Sequence, residues 1–403
     1  MADYTERFAE LAVRVGVNVQ PGQDVVVTAD IAHAQVARAV VEAAYAAGAR
    51  LVDVTWSDGH VRRSAVVHAD VEALTAARPW MLDRLRGWGR DGVALIRLTG
   101  DPDPHLMDGL DPAKVAAMPH EETALMRDTL FSGGVTWTIV AAPNPGWATQ
   151  VFGEPDVERL WEAVAVAMRL DEPDPVAAWR ERDATLSARA RALDALALTE
   201  VRYTGPGTDL VAGLLPGTRW TGGGIANAEG LGYMPNIPTE EVFTSPDRRR
   251  ADGVITLSKP LVIASGGLAE GLEVTLEGGR VVQVRADTGA EAVGAQLDTD
   301  DGARSLGEVS LVDRDSRIAE AGVVFHNTLF DENAGCHVAW GASFPFAVEG
   351  GPAMTADERF ELGLNRSAVH TDVVIGGTGM TVTGTGPGGE VTIIRDDEWV
   401  LPV

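Results

Sequence analysis

The hydrophobic pattern of this chain changes period near its middle. Through the first half, segments with helical spacing alternate with short apolar runs; beyond residue 199, apolar and polar residues alternate one by one between frequent glycines. Residues 4–15 carry Phe8, Leu11, Ala12 and Val15 on one stripe, which predicts a helix. The turn Gln20-Pro21-Gly22-Gln23 leads into Val25-Val26-Val27 and a predicted strand over 24–28. The small-residue run AHAQVARAVVEAAYA over 32–46 predicts a closely packing helix, which Gly48 ends before a strand over 51–56. These elements make one βαβ unit.

The pattern continues with helices over 70–77 and 81–88, a strand over 93–98, a helix over 113–128 and a strand over 136–141. Such alternation implies a parallel sheet covered by helices. The first strand-to-helix connection reads VTADIAHAQ and lacks a glycine-rich phosphate loop, which argues against a dinucleotide site there. Two further helices, 156–170 and 175–198, flank the linker-like DEPDP at 171–175, and the second has no glycine and reads as a strut between domains. The boundary is placed near its end: an N-terminal α/β domain over 1–198 and a β-rich α+β domain over 199–403. In the latter, LEVTLEGG, RVVQVRA and VTIIRD alternate with period two, the mark of a largely antiparallel sheet system. Gly384, Gly386 and Gly389 match a GxGxxG spacing, but they precede the strand-like VTIIRD and therefore read as a hairpin loop.

Length agrees with two domains, since 403 residues exceed what one hydrophobic core usually supports. Charge narrows the partners: 33 basic against 59 acidic residues give a net −26, which would repel nucleic acid and anionic membrane surfaces. A peptide with a free ammonium end would not be repelled. No run approaches the roughly 20 apolar residues that span a bilayer, and the acidic amphipathic first segment does not read as a signal peptide. A single cysteine, Cys336, excludes an intrachain disulfide and a thiolate metal cage, and fits a reducing cytoplasm.

Four segments of the second half hold acids or histidines in apolar or turn-rich surroundings. Glu240 and Glu241 open a strand, where neighbouring side chains point apart, so the two should have different roles. Glu308 in LGEVSLV shares a face with Ser310 and Val312 and needs a partner unless its strand lies at an edge. The stretch NTLFDENAGCHVAWGASFPF over 327–346 places Asp331, Glu332, Asn333 and His337 within seven residues. Read as a helix over 331–340, it sets Asn333 and His337 on one face and leaves Cys336 as a small buried hydrophobe. His370 and Asp372 face the same way on a strand, two residue rises apart, a spacing from which both reach one metal or two close together. The helix before them carries a capping box of Thr355 and Glu358. Each segment has a plain reading by itself: a solvated turn, an edge strand, a structural histidine. Together, imidazole with carboxylate suits Zn, Co or Mn better than Mg or Ca.

The segments PNIPTEEVFTSPDRRRADG, LGEVSLV, NTLFDENAGCHVAWG and the strand of His370 and Asp372 leading to Ile375-Gly376-Gly377 occur in that order. They resemble the signature segments of the dinuclear metalloaminopeptidase family typified by aminopeptidases T and S. The N-terminal βαβ region and WTIVAAPNPGWA at 137–148 extend the resemblance over nearly the whole chain. It implies two divalent metal ions held by Glu241, Glu308, His337, His370 and Asp372, with Glu308 bridging them. It further implies Glu240 as general base or as anchor for the substrate ammonium, peptide substrates trimmed from the N-terminus, and a homodimer whose first domains help to enclose the site. Three carboxylates and two neutral imidazoles nearly balance two divalent cations, so no Ser or Cys nucleophile need be invoked. The family usually has a tyrosine seven residues after the ligand histidine; here that position is Phe344. Two other readings follow from the same residues: a weakened family member that binds metal or peptide, and a dinuclear hydrolase of another amide.

Overall fold

Val25, Val26 and Val27 lie in the interior of a parallel sheet, as their continuous apolar run predicts. The computed structural model describes residues 4–131, 133–263, 268–377 and 379–403. Contacts divide the chain into two units, Met1–Arg180 with Gly224–Pro238 and Glu181–Gly223 with Thr239–Val403.

In the first unit, helix α1 (Tyr4–Leu11) precedes strand β1 (Asp24–Asp30), helix α2 (Ala34–Ala46) and strand β2 (Leu51–Ser57). Helix α3 (Pro79–Asp91), strand β3 (Ala94–Thr99), helix α4 (His120–Phe131) and strand β4 (Thr136–Ala141) follow. The sheet order is Asn236–Ile237, β4, β3, β1, β2, and every pairing is parallel. Strand order therefore reverses between β1 and β3. On one face Val26, Leu95 and Val135 pack with Trp137 against Trp88 of α3 and Leu130 of α4. The single helix predicted over 113–128 is two, Pro112–Ala116 and α4, because Pro119 holds the residue before it out of the helical region. A helix at Gly59–His68 has no counterpart in the pattern reading.

The boundary between units falls inside helix α5 (Pro175–Leu196). The second unit contains an antiparallel sheet of eight strands and another of five. The five-stranded sheet runs in the order β8 (His370–Val374), β7 (His337–Gly341), β6 (Leu306–Leu311), β5 (Val242–Thr244) and the short strand Thr221–Gly222. Val242, Val309, Leu311, Val338 and Trp340 join Tyr203, Leu210 and Val382 of the eight-stranded sheet in one core. The glycines at 384–389 join two antiparallel strands, with Gly386 opposite Gly389, so the hairpin reading holds. Thr355 and Glu358 form the reciprocal cap on helix Ala356–Leu362.

One expectation fails. Residues 331–340 are not a helix: a short turn at Thr328–Asp331 and a 3-10 turn at Glu332–Ala334 give way at an extended Gly335 to strand β7. Val338 and Trp340 favour a pleated surface, and β7 pairs on both sides, so tertiary pairing overrides the local spacing. Asn333 and His337 consequently share no helix face. Among the described residues no helix is long and apolar enough to cross a membrane.

Candidate metal centre

Strand β6 is buried along its whole length between β5 and β7, so Glu308 is not at an edge and needs a partner. Register supplies several. Glu308 lies opposite Ala339, and Ala339 opposite Asp372, so two carboxylates flank a methyl group that leaves room between them. Two residue pairs along, Ser310 opposes both His337 on β7 and Phe243 on β5, and two pairs the other way His370 opposes Gly341. A bulge at Gly307 adjusts β6 just before Glu308, and a Cβ there would come within 2.2 Å of the Ala342 carbonyl oxygen.

The result is two groups of potential ligand atoms that share one residue: Glu241, Glu308 and His337, and Glu308, His370 and Asp372, each set within 4.8 Å. His337 Nε2 lies 3.0 Å from Glu241 Oε2 and 3.7 Å from Glu308 Oε1. His370 Nε2 lies 3.1 Å from Glu308 Oε2 and 3.4 Å from Asp372 Oδ1. Glu308 thus turns one oxygen toward each histidine. Each imidazole sets its other nitrogen against a backbone carbonyl, His337 Nδ1 at 3.3 Å from Gly335 O and His370 Nδ1 at 2.8 Å from Ala342 O. Protonation at Nδ1 leaves Nε2 with a lone pair facing the carboxylates, the usual second-partner arrangement of a metal-bound histidine. Ser310 Oγ donates to Glu241 Oε2 at 2.7 Å and fixes that carboxylate.

Electrostatics show what the cluster lacks. Burial pushes the Glu241 pKa up against the hydrogen bond and charge of His337. For His337 burial works downward, but Glu241 and Glu308 outweigh it and raise the pKa well above the ordinary imidazole value. His370 is raised in the same way by Asp372 and Glu308, and Asp372 is lowered because His370 outweighs its burial. Protons on the imidazoles are therefore the positive charge available to three carboxylates, and among the described residues no lysine or arginine forms an ion pair with Glu241, Glu308 or Asp372. Divalent cations supply that charge without protonating the ligands, so the donor set fits them. His370 keeps 28% of its side chain accessible, so the cluster opens on that side.

Glu240 and Glu241 lie just before β5, which begins at Val242, and the Glu240 side chain points away from the cluster. Its carboxylate lies 2.6 Å from Arg182 Nε on α5, and Arg182 in turn faces Asp313, which also pairs with Arg189 at 2.5 Å. Of the other polar residues in the 327–346 run, Asn333 accepts from the Glu240 backbone N–H at 2.6 Å, and Asp331 accepts from Phe325 and Asn327. They shape the backbone around the cluster. Glu332 received no role from its position in the sequence, yet its carboxyl is buried beside the ligand set, with burial first and the charge of Asp372 next pushing its pKa well up. Local alternation offered no signal for it, because it lies in a 3-10 turn. Cys336 is buried, with its thiol pushed up to about 12, consistent with a small core residue. Phe344, at the departure from the familial tyrosine, lies with its ring centroid 5.1 Å from that of His370 and is packed by Phe243 and Phe346.

A set of carboxylates and imidazoles shared through one glutamate, buried at Glu241, Glu308 and His337 and open at His370, on an α/β and antiparallel-β scaffold, fits the class of metal-dependent hydrolases. Comparison with known proteins makes it particular. The model of the thermophilic metalloprotease family M29 matches residues 1–399, and the chain belongs to that family. It is 41% identical to aminopeptidase T of Thermus thermophilus and 39% identical to aminopeptidase PepS of Streptococcus thermophilus, in each case over 98% of both chains. Its fold matches the solved structure of wild-type AmpT from Thermus thermophilus with a TM-score of 0.90 and 38% identity, covering 98% of this chain and 99% of that one.

Proposed function

We propose that the chain is a metal-dependent aminopeptidase that removes N-terminal residues from peptides at a centre of two divalent ions. The family and its curated relatives carry the peptidase reading. The observation that supports two ions is Glu308, one oxygen toward His337 and the other toward His370. In this reading Glu241 and His337 hold one ion, His370 and Asp372 the other, and Glu308 both, with Zn, Co or Mn favoured by the mixed donors. Bound there, such ions polarise a peptide carbonyl and acidify an attacking water.

The chain's own residues do the rest. Ser310 orients Glu241, the carbonyls of Gly335 and Ala342 orient the two imidazoles, and the rings of Phe243, Phe344 and Phe346 form an apolar wall beside His370. Glu240 is the proposed general base or the anchor of the substrate ammonium. Its carboxylate is buried and already faces Arg182, so either role requires that ion pair to rearrange. The division into an N-terminal α/β domain over 1–198 and a catalytic domain over 199–403 belongs to the same proposal, as does a cytoplasmic location.

The test is release of free amino acids from a panel of short peptides, with Zn, Co or Mn and after chelation. Sequential release from the N-terminus is expected, lost on chelation and on N-acetylation of the peptide. Internal cleavage, or equal cleavage of acetylated peptides, would overturn it. A second reading, a family member that binds peptide and turns it over poorly, draws support from Phe344, and slow release with intact metal content would favour it.

A homodimer is part of the proposal. Light scattering at micromolar concentration should give about twice the 42.5 kDa chain mass. A monomer of full activity would remove the dimer from the account.

A further inference from the structure

The first unit holds a cavity of about 490 Å³ that the metal centre does not use. Its position follows from the sheet register. Val26, Leu95 and Trp137 fill the space beneath α3 and α4, but two residues further along the same faces the side chains are Thr28, Arg97 and Ile139, and one row beyond that Asp30 stands opposite Ser57. These polar rows line the cavity, closed on its apolar side by Trp88, Met126, Leu130 and Trp137. It sits toward the carboxyl ends of β1 and β3, between which the strand order reverses, the place where open α/β sheets bind ligands. Its size is that of a small-molecule site.

The charges inside are uneven in an informative way. Among the described residues Arg97 forms no ion pair; its side chain is exposed within the open cavity, although the protein packed around it pulls its pKa below the ordinary guanidinium value. A guanidinium that faces a cavity without a counter-ion is available to an incoming anion, and a planar one such as a carboxylate matches its donors two at a time. Two acids line the same cavity. Asp30 spends Oδ1 on the N–H of Ala32 at 2.9 Å, and Asp101 spends Oδ1 on that of Asp103 at 3.0 Å, each keeping a second oxygen. Those carboxylates would repel a phosphate dianion and attract an ammonium. The Arg97 and Asp30 rows are one pleat repeat apart, about 7 Å along the strands. An extended dipeptide spans roughly that distance between its ends.

We propose that this cavity binds a short peptide of about two residues with both termini free, its carboxylate paired with Arg97 and its ammonium facing Asp30 and Asp101. The apolar wall takes the side chains. None of the residues that line the cavity is among the proposed metal ligands, and the proposal stands whether or not the metal centre works as described above.

Calorimetric titration of the full-length chain with leucyl-leucine, under a chelator so that no metal competes for the peptide, tests it directly. One binding event per chain is expected, at least about tenfold weaker when the probe is amidated at its C-terminus or acetylated at its N-terminus, and weakened to the same degree by Arg97→Gln with the free dipeptide. Equal affinity for free and blocked probes, unchanged affinity in Arg97→Gln, or no binding at millimolar probe would overturn the proposal. The blocked probes need no variant, so the test holds even if Arg97→Gln does not fold.

Discussion

Glu308→Gln is expected to lower metal content and to cut peptide turnover by on the order of a thousandfold. Glutamine keeps the shape of the side chain and removes one charge, and Glu308 is the residue whose two oxygens face both histidines. Loss of a group that merely supports a metal ligand typically costs about 10–100-fold in metal affinity, so loss of a charge shared by both ligand groups should exceed that. A bound ion contributes several kcal/mol of transition-state charge stabilisation, and each ~1.4 kcal/mol is tenfold in rate, from which the thousandfold figure follows. His370→Ala separates the two groups: Glu241, Glu308 and His337 remain, so about one ion per chain should be retained while turnover still collapses. Elemental analysis with initial rates reads both variants, and circular dichroism confirms that the sheet survives, since its core is the apolar set of Val309, Val338 and Trp340. Full metal content and normal turnover in Glu308→Gln would dismantle the proposed site.

Phe344→Tyr is expected to raise turnover, by about a hundredfold on a good dipeptide if the added hydroxyl reaches the oxyanion of the tetrahedral intermediate. The ring is already accommodated. It stacks on Phe346 at 5.2 Å between centroids, meets Phe243 edge-on at 5.3 Å, and its backbone N–H donates to Ser245 Oγ at 3.0 Å, so one extra oxygen should not displace it. The ring also touches that of His370, which puts the position at the centre rather than at its periphery. Phenylalanine supplies the shape and no donor. Steady-state kinetics decide the matter: a rise in kcat with little change in KM supports a missing donor, whereas unchanged kcat means that another group already provides the bond or that none is needed.

How much of this could be read from the chain varies by element. The βαβ alternation, the parallel first sheet and the hairpin at Gly384–Gly389 were legible, because each rests on a period or a turn signal confined to a few neighbouring residues. His370 and Asp372 were legible as a pair for the same reason, since strand alternation alone makes them face one way. The segment at 331–340 was misread because Asn333 and His337 have helical spacing, and nothing local announces that β6 and β8 will claim the backbone from His337 onward. Glu332 gained significance only from neighbours that come from other strands.

The sequence by itself determined which donors this protein owns and in which half they lie, since side-chain chemistry and period are local properties. It also determined, through ordered segments, the family to which the chain belongs. The tertiary structure alone decided that these donors converge. Glu308 meets His370 across 62 positions of chain, and Ser310 meets Glu241 across 69, distances closed by strand register and by burial of the core rather than by any local preference. The same register decided that Ala339, unremarkable in the sequence, stands between two carboxylates, and that Arg97 lines a cavity where, among the described residues, it forms no ion pair. Register is set by which faces are buried together, and that is a property of the whole sheet.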